Sequence, residues 1–303
     1  MKVVAYAAGI PNPNKSPHKL EVLQRFVAGV NVVGDQGILH YGKNTIVSDV
    51  AVIQGWVHDG SPRSPHLMLR KSAAENLLNK HTIIVDSNLF NYNLGKLHPS
   101  HYSRYSMDGV FPTTGNYFSG IVDPSRWQKI SRDLQISLKP QRTDGRHILI
   151  CLQRNGGWSM GGLDVMEWCN KTIKRIRKVS SRPIVVRAHP GDSKAKQYLK
   201  IRQAGATVST NKHILEDFKN CWAVITYNSS PGVAAAIEGL PIFVTDPNPE
   251  ISQARAVANT NLKNIESPKF FDRQEWVEKL AMSHWNFDEV RSGDAWRHIR
   301  NFI

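Results

Sequence analysis

TYNSSPGVAAAIEGLP occupies residues 226–241. An apolar run, WAVITY at 222–227, leads into two serines, a proline and a glycine. An alanine-rich, helix-like segment follows, with one acid, Glu238, near its end. A strand that feeds straight into a helix is the repeating unit of a parallel sheet. Backbone N–H groups and hydroxyls at a helix N-terminus attract anions. Ser229 and Ser230 are therefore candidates to hold a phosphate, with Gly232 letting the ligand come close to the backbone. Glu238 stands about two helical turns beyond Ser230. The plainer reading makes Ser230 a helix cap and Glu238 a surface acid.

Working outward, the second half alternates strand-like and helix-like segments. HILICLQ, RPIVVRAH, ATVST, WAVITY and PIFV read as strands. LDVMEWCNKTIKRIRKV reads as a helix, with Met166, Cys169, Ile173 and Ile176 on its apolar side and basic residues opposite. SKAKQYLKIRQAG and HILEDFKN read as further helices, and RQEWVEKLAMSHWNF and DAWRHIRNFI close the chain as helices. In the first half, VVAYAAGI, DVAVIQGW and HTIIVDS read as strands. KLEVLQRFVAGV is a helix with Ser16 as N-cap and Pro17 at its first position. SAAENLLNK is a second helix. Residues 88–125 are long and irregular, as functional segments often are. The expected fold class is α/β, with two Rossmann-like domains whose parallel sheets face across a cleft. The expected domains are 1–140 and 145–284, with a C-terminal helix, 285–303, packing back on the first.

In parallel sheets, ligands bind at the carboxyl ends of the strands. VVRAHPGD at 185–192 ends a strand there, and Pro190 turns the chain so that Arg187 and His189 share that edge. A histidine at this place can put positive charge or a proton on a departing phosphate. LQRNGGWSMGG at 152–162 follows the first strand of this half and offers Arg154. It is neither GxGxxG nor a P-loop.

The chain has 303 residues and a formal net charge of +14. Residues 126–213 hold 19 Lys and Arg against 5 Asp and Glu, and the remainder balances at 20 against 20. An excess confined to one segment points to a polyanionic partner, or more plainly to a solvated basic face. Lys171, Lys174, Arg175 and Lys178 head the candidates. No run of about 18 apolar residues is present, so no transmembrane segment is expected. Three scattered cysteines, Cys151, Cys169 and Cys221, form no CxxC pair and no zinc spacing, which suits reduced thiols in a cytoplasm.

With RAHP and TYNSSPGVAAAIEGLPIFV both in view, residues 145–250 resemble GT-B glycosyltransferases, and among them the capsule-type enzymes with HP and SS motifs, including Kdo transferases and polysialyltransferases. That resemblance implies a nucleotide-sugar donor whose phosphate meets His189, Ser229 and Ser230, and whose ribose meets Glu238. The expected donor is a UDP-sugar before a CMP-sugar. No DxD motif appears, so basic side chains and the helix terminus would stand in for a metal. The first half matches the capsule-type pattern only loosely. The base that takes the acceptor's proton is open among Asp86 and Asp108, with Asp35 and Asp59 behind them.

The size and basicity are also similar to those of phage DNA glycosyltransferases, which act on hydroxymethylated pyrimidines taken out of the stack. Tyr102, Tyr105, Phe111 and Tyr117 lie in the irregular segment and could stack on such a base. The expectation is therefore a hexosyl- or pentosyltransferase, monomeric or weakly dimeric, using double-stranded DNA bearing a base such as 5-hydroxymethylcytosine. If bacteriophage-encoded, it would work in the host cytoplasm. A membrane-surface capsule or lipopolysaccharide transferase, a nucleotide-sugar 2-epimerase and a non-catalytic polyanion binder stay open.

Overall fold

A computed structural model describes residues 1–10, 17–57, 64–75, 78–92, 101–110, 120–155, 158–192, 194–195, 199, 205–248 and 252–303. The chain forms two compact units. Unit 1 comprises Met1–Asn88, Leu97–Trp127 and Glu278–Ile303, and unit 2 comprises Leu89–Lys96 and Gln128–Val277. The divisions thus fall at 127/128 and 277/278, not in the loop near 140 or at 284, and residues 89–96 go with unit 2.

Unit 1 is built on β1 (Lys2–Tyr6), β2 (Gln36–His40), β3 (Val50–Gln54), β4 (His81–Ser87), β5 (Ser103–Met107) and β11 (His284–Trp285), in the order β11-β5-β4-β3-β1-β2. The first four strands are mutually parallel. β5 runs antiparallel to β4 and β11 antiparallel to β5, so this sheet is mixed where a parallel one was expected. Alternation along β1 explains its unbroken apolar run. Val3 and Ala5 face one core, with Leu23 and Phe26 of α1 (Pro17–Val32) and Trp296. Val4 and Tyr6 face another, with Leu69 and Ala73 of α2 (Pro65–Ala74). A strand buried on both faces reads as continuously hydrophobic.

Two expectations shift here. The helix expected at SAAENLLNK begins earlier, at Pro65, because Ser64 is extended and proline suits the first helical position. The helix expected across RQEWVEKLAMSHWNF is split. Gln274–Ala281 is helical, β11 follows, and a new helix starts at Phe287. Asn286 and Glu289 form a capping box, each side chain bonding the other's backbone N–H at 2.9 Å. Ser16 and most of the expected helix at SKAKQYLKIRQAG lie outside the described residues.

Unit 2 holds β6 (His147–Cys151), β7 (Ile184–Arg187), β8 (Ala206–Val208), β9 (Cys221–Thr226) and β10 (Ile242–Val244), ordered β10-β9-β6-β7-β8. All its pairings are parallel. The chain steps outward from β6 to β8 and then returns to the other side of β6 with β9. Such a reversal opens a crevice at the carboxyl ends of the two central strands, β6 and β9. After α3 (Pro124–Leu134), helix α4 (Val165–Arg177) covers one face of this sheet with Val165, Trp168, Cys169, Ile173 and Ile176. Asp164 caps it, accepting from the N–H groups of Met166 and Glu167 at 2.9 Å. All three cysteines are buried and none is bonded to another.

Candidate functional site

A pocket of about 360 Å³ opens at the carboxyl ends of the unit 2 strands. His189 reaches it from the loop after β7, Ser230 from the turn after β9, and Lys212 and His213 from the loop after β8. Tyr92 closes another side. His189 and Ser230 are thus brought to one cavity from two strand ends.

His189 is held in one tautomer. Its Nδ1 accepts from the Gly191 N–H at 3.0 Å, so in the neutral ring the proton sits on Nε2. Burial pushes its pKa down and the positive charge of Arg154 adds to this, while Asp192 opposes. This shift favours the neutral imidazole, whose Nε2–H is a hydrogen-bond donor; of the positive charge or proton expected from the sequence, it works against the charge. The neighbouring positive charge is Arg154. A side chain at Gly191 would meet the Arg154 Nη2 at 2.6 Å and the His189 ring at 3.2 Å, so this glycine lets the guanidinium lie beside the imidazole.

The adjacent serines part company. Ser230 is exposed, makes no capping bond and lines the pocket. The Ser229 Oγ is enclosed and has no hydrogen-bond partner among the described residues. Gly232 is buried, and a Cβ on it would meet Ala254 at 3.2 Å. The absence of a side chain there gives the helix close packing on Ala254. Glu238 ends the helix Pro231–Ile237, and one carboxylate oxygen accepts from the Tyr92 hydroxyl at 3.1 Å. Burial, then the Glu238 charge, raises the Tyr92 pKa and keeps the phenol a donor.

Arg187 lines the pocket, but its charge is spent on structure. It pairs with buried Asp217 and donates to the carbonyls of Asn211 and Lys212 at 3.0 Å. This clamp fixes the loop that carries Lys212 and His213. Those two residues were missed in the sequence, although NKH follows a strand-like run in the same way as RAHP. Also missed was Asn228, inside TYNSS itself. Its backbone N–H donates to Gln153 at 3.2 Å, and its side chain donates to the Ser159 carbonyl at 2.8 Å and to Asp246. Asn155 braces the loop after β6, its N–H meeting Asp192 at 2.9 Å and its side chain Asp164 at 3.2 Å.

In unit 1, Asp86 is the penultimate residue of β4 and lines a pocket with Tyr102. Arg104, almost fully buried, holds the Asp86 carboxylate at 2.6 Å. Asp108 lies toward the other end of β4. It accepts from the Thr82 N–H at 2.7 Å and pairs with His81 at 2.6 Å, in a left-handed turn with φ 58°. It is a turn residue and does not share the Asp86 pocket. Asp35 is likewise occupied, by the N-terminal amine, Trp296 and Arg300. Tyr105 is fully buried against Phe26, with ring centroids 5.7 Å apart, so it has no face for a base. Asp59, Phe111 and Tyr117 lie outside the described residues. Lys174 and Arg175 are exposed on α4 and Lys178 is exposed at its C-cap; Lys171, also exposed, pairs with Glu167.

No helix among the described residues is long and apolar enough to cross a membrane. No protein-family model and no curated protein matches the chain. Solved structures do. One is the β-Kdo 2,4 transferase of Thermosulfurimonas dismutans KpsC, at TM-score 0.58 and 16% identity over 94% of this chain and 91% of that one. The β-Kdo 2,7 transferase of the same KpsC aligns at TM-score 0.54 and 13% identity, over 92% and 90%. A UDP-GlcNAc 2-epimerase of Methanocaldococcus jannaschii aligns over the whole of both chains, but at TM-score 0.36 and 10% identity. At these identities the likeness is one of fold. The chain has the GT-B fold, with two Rossmann-like units.

Proposed function

We propose that the protein is a nucleotide-sugar-dependent glycosyltransferase. The observation that carries this reading is the meeting of His189 and Ser230 in one pocket at the carboxyl ends of the unit 2 strands, on a GT-B fold. The His189 Nε2–H and the Ser230 hydroxyl would donate to the donor's phosphate, with Lys212 and Arg154 balancing its charge. Glu238, steadied by Tyr92, would face the ribose hydroxyls. In the transfer step the acceptor oxygen attacks the anomeric carbon and its proton passes to a carboxylate, for which Asp86 is the proposed base. The bond from that carbon to the phosphate oxygen breaks, and the nucleoside phosphate leaves with the electron pair. The pocket's donors stabilise that developing charge.

For the acceptor we propose double-stranded DNA bearing hydroxymethylated pyrimidines. Support comes from the confined basic excess and from Lys174, Arg175 and Lys178 exposed together at the C-terminal end of α4, since a broad cationic face suits the phosphate backbone. The test is incubation with hydroxymethylated DNA and a panel of nucleotide sugars, UDP-sugars first, read by nucleoside mass spectrometry. A sugar added to the pyrimidine, with the rate cut about 100-fold in His189→Ala, is the expected result. Transfer to a lipid-linked saccharide alone, or donor isomerisation without an acceptor, would replace it with the capsule-type or epimerase reading.

A further inference from the structure

Unit 1 has a strand-order reversal of its own. From β1 the chain goes first to β2 on one side and then to β3 on the other. A pocket of about 340 Å³ opens at the carboxyl ends of β3 and β4. Its walls come from distant parts of the chain: His18 from α1, Gln54 and Gly55 from the end of β3, Asp86 from β4, and His101 and Phe287.

Four features mark it as a built site. The His101 ring stacks on Phe287 at 4.8 Å, with 15° between planes, and on His18 at 4.9 Å. The Arg25 guanidinium covers Phe287 at 4.8 Å and stiffens this stack. His101 holds φ 43°, a left-handed conformation that costs a non-glycine residue energy and tends to persist where function requires it. Two residues of the lining, His18 and Gln54, each carry a buried atom, Nδ1 and Oε1, that has no hydrogen-bond partner among the described residues. A buried polar atom left unpaired is costly, so a ligand that supplies donors gains from meeting them. Asp86 adds carboxylate oxygens fixed by Arg104 at 2.6 Å and by the Ser87 N–H at 2.7 Å, each with a lone pair to spare.

We propose that this pocket is a ring-binding subsite for the hydroxymethylated pyrimidine of the acceptor. The flat ring extends the imidazole–phenyl stack, its N–H donors meet Gln54 and His18, and its hydroxyl meets Asp86. As the acceptor half of a transferase the subsite rests on the glycosyltransferase reading of unit 2; as a binding site it is tested separately. The probe is the free nucleoside 5-hydroxymethyl-2′-deoxycytidine, titrated while the imidazole resonances of His18 and His101 are followed by NMR. UDP is titrated in a parallel sample. The nucleoside is expected to shift both imidazoles. Gln54→Leu and His101→Ala should each weaken it about tenfold while UDP affinity stays the same. Gln54→Leu removes an unpaired acceptor without removing a hydrogen bond, so a folded protein is expected even if His101→Ala is disruptive. UDP binding with unmoved imidazoles overturns the subsite and leaves the donor reading standing. Shifts with methyl glucoside but not with the nucleoside overturn the pyrimidine assignment. Silence to nucleoside, glucoside and UDP overturns both readings.

Discussion

The pockets of the two units are assembled in opposite ways. In unit 2 the side chains sit on short loops directly after strands, and the loops are braced to one another. Asn155 ties the loop after β6 to Asp192 in the loop after β7, Asn228 ties the turn after β9 to Gln153, and Arg187 with Asp217 fixes the loop after β8. In unit 1 the pocket residues come from far apart in the chain and meet through ring stacking and one ion pair to a buried arginine. The first arrangement, in which hydrogen bonds set the geometry, is the kind that would suit the small anion proposed for it. The second offers stacked rings beside buried, unpaired polar atoms, and would suit the flat ring proposed for it. Charge and bracing separate the two sites, and experiments can press on that difference.

The largest effect should follow loss of the brace. Arg187→Ala leaves buried Asp217 without its cation, and breaking such a pair typically costs about 3–5 kcal/mol. Urea denaturation should show that loss in unit 2, whereas His189→Ala, two residues on, should leave stability within about 0.5 kcal/mol of wild type. Equal stabilities for the two variants would mean that Arg187 is free to serve a ligand.

Acid should loosen unit 1 first. Burial pushes the His284 pKa down to about 3, with Arg104 and Arg126 adding to the effect, and burial pushes His298 down to about 4. Both lie below the ordinary histidine value of about 6.5, so between these limits the unfolded chain binds protons that the folded chain refuses. Stability is full above pH 6.5 and falls as pH drops through that window. Hydrogen exchange followed by unit should quicken in residues 278–303 between pH 6.5 and 4, ahead of residues 147–151. Simultaneous loosening would remove the contrast.

The smallest effect belongs to Tyr92. Tyr92→Phe removes one hydrogen bond to Glu238, worth about 1 kcal/mol, so the donor KM should rise about fivefold with kcat unchanged. A fall in kcat alone would place Tyr92 in the chemistry and not in donor binding.

The same contrast explains what could be read from the sequence. RAHP and TYNSS are each contiguous, and the local change from apolar run to loop residues is enough to place both at a sheet edge. The unit 1 pocket has no such signature, because nothing in the chain announces that His18, His101 and Phe287 stack. Asp108 and Tyr105 looked suitable by residue type, but a turn and a core position had already claimed them. The divergence of Ser229 from Ser230 was also hidden, since one backbone step decides which hydroxyl faces the pocket. The mixed edge of sheet 1 depends on β5, whose sequence SRYSM carries a buried arginine that reads as a loop residue.

That pair of serines tests the account most directly. Calorimetric titration of UDP into wild type, Ser230→Ala and Ser229→Ala compares two hydroxyls one residue apart. A hydrogen bond to a charged phosphate is worth about 1.5–3 kcal/mol, so Ser230→Ala should weaken UDP at least about tenfold. Ser229→Ala removes an enclosed, unpaired hydroxyl and should leave the affinity as it is. UDP binding that is untouched by Ser230→Ala, or lost with Ser229→Ala instead, would contradict the placement of the nucleotide in this pocket.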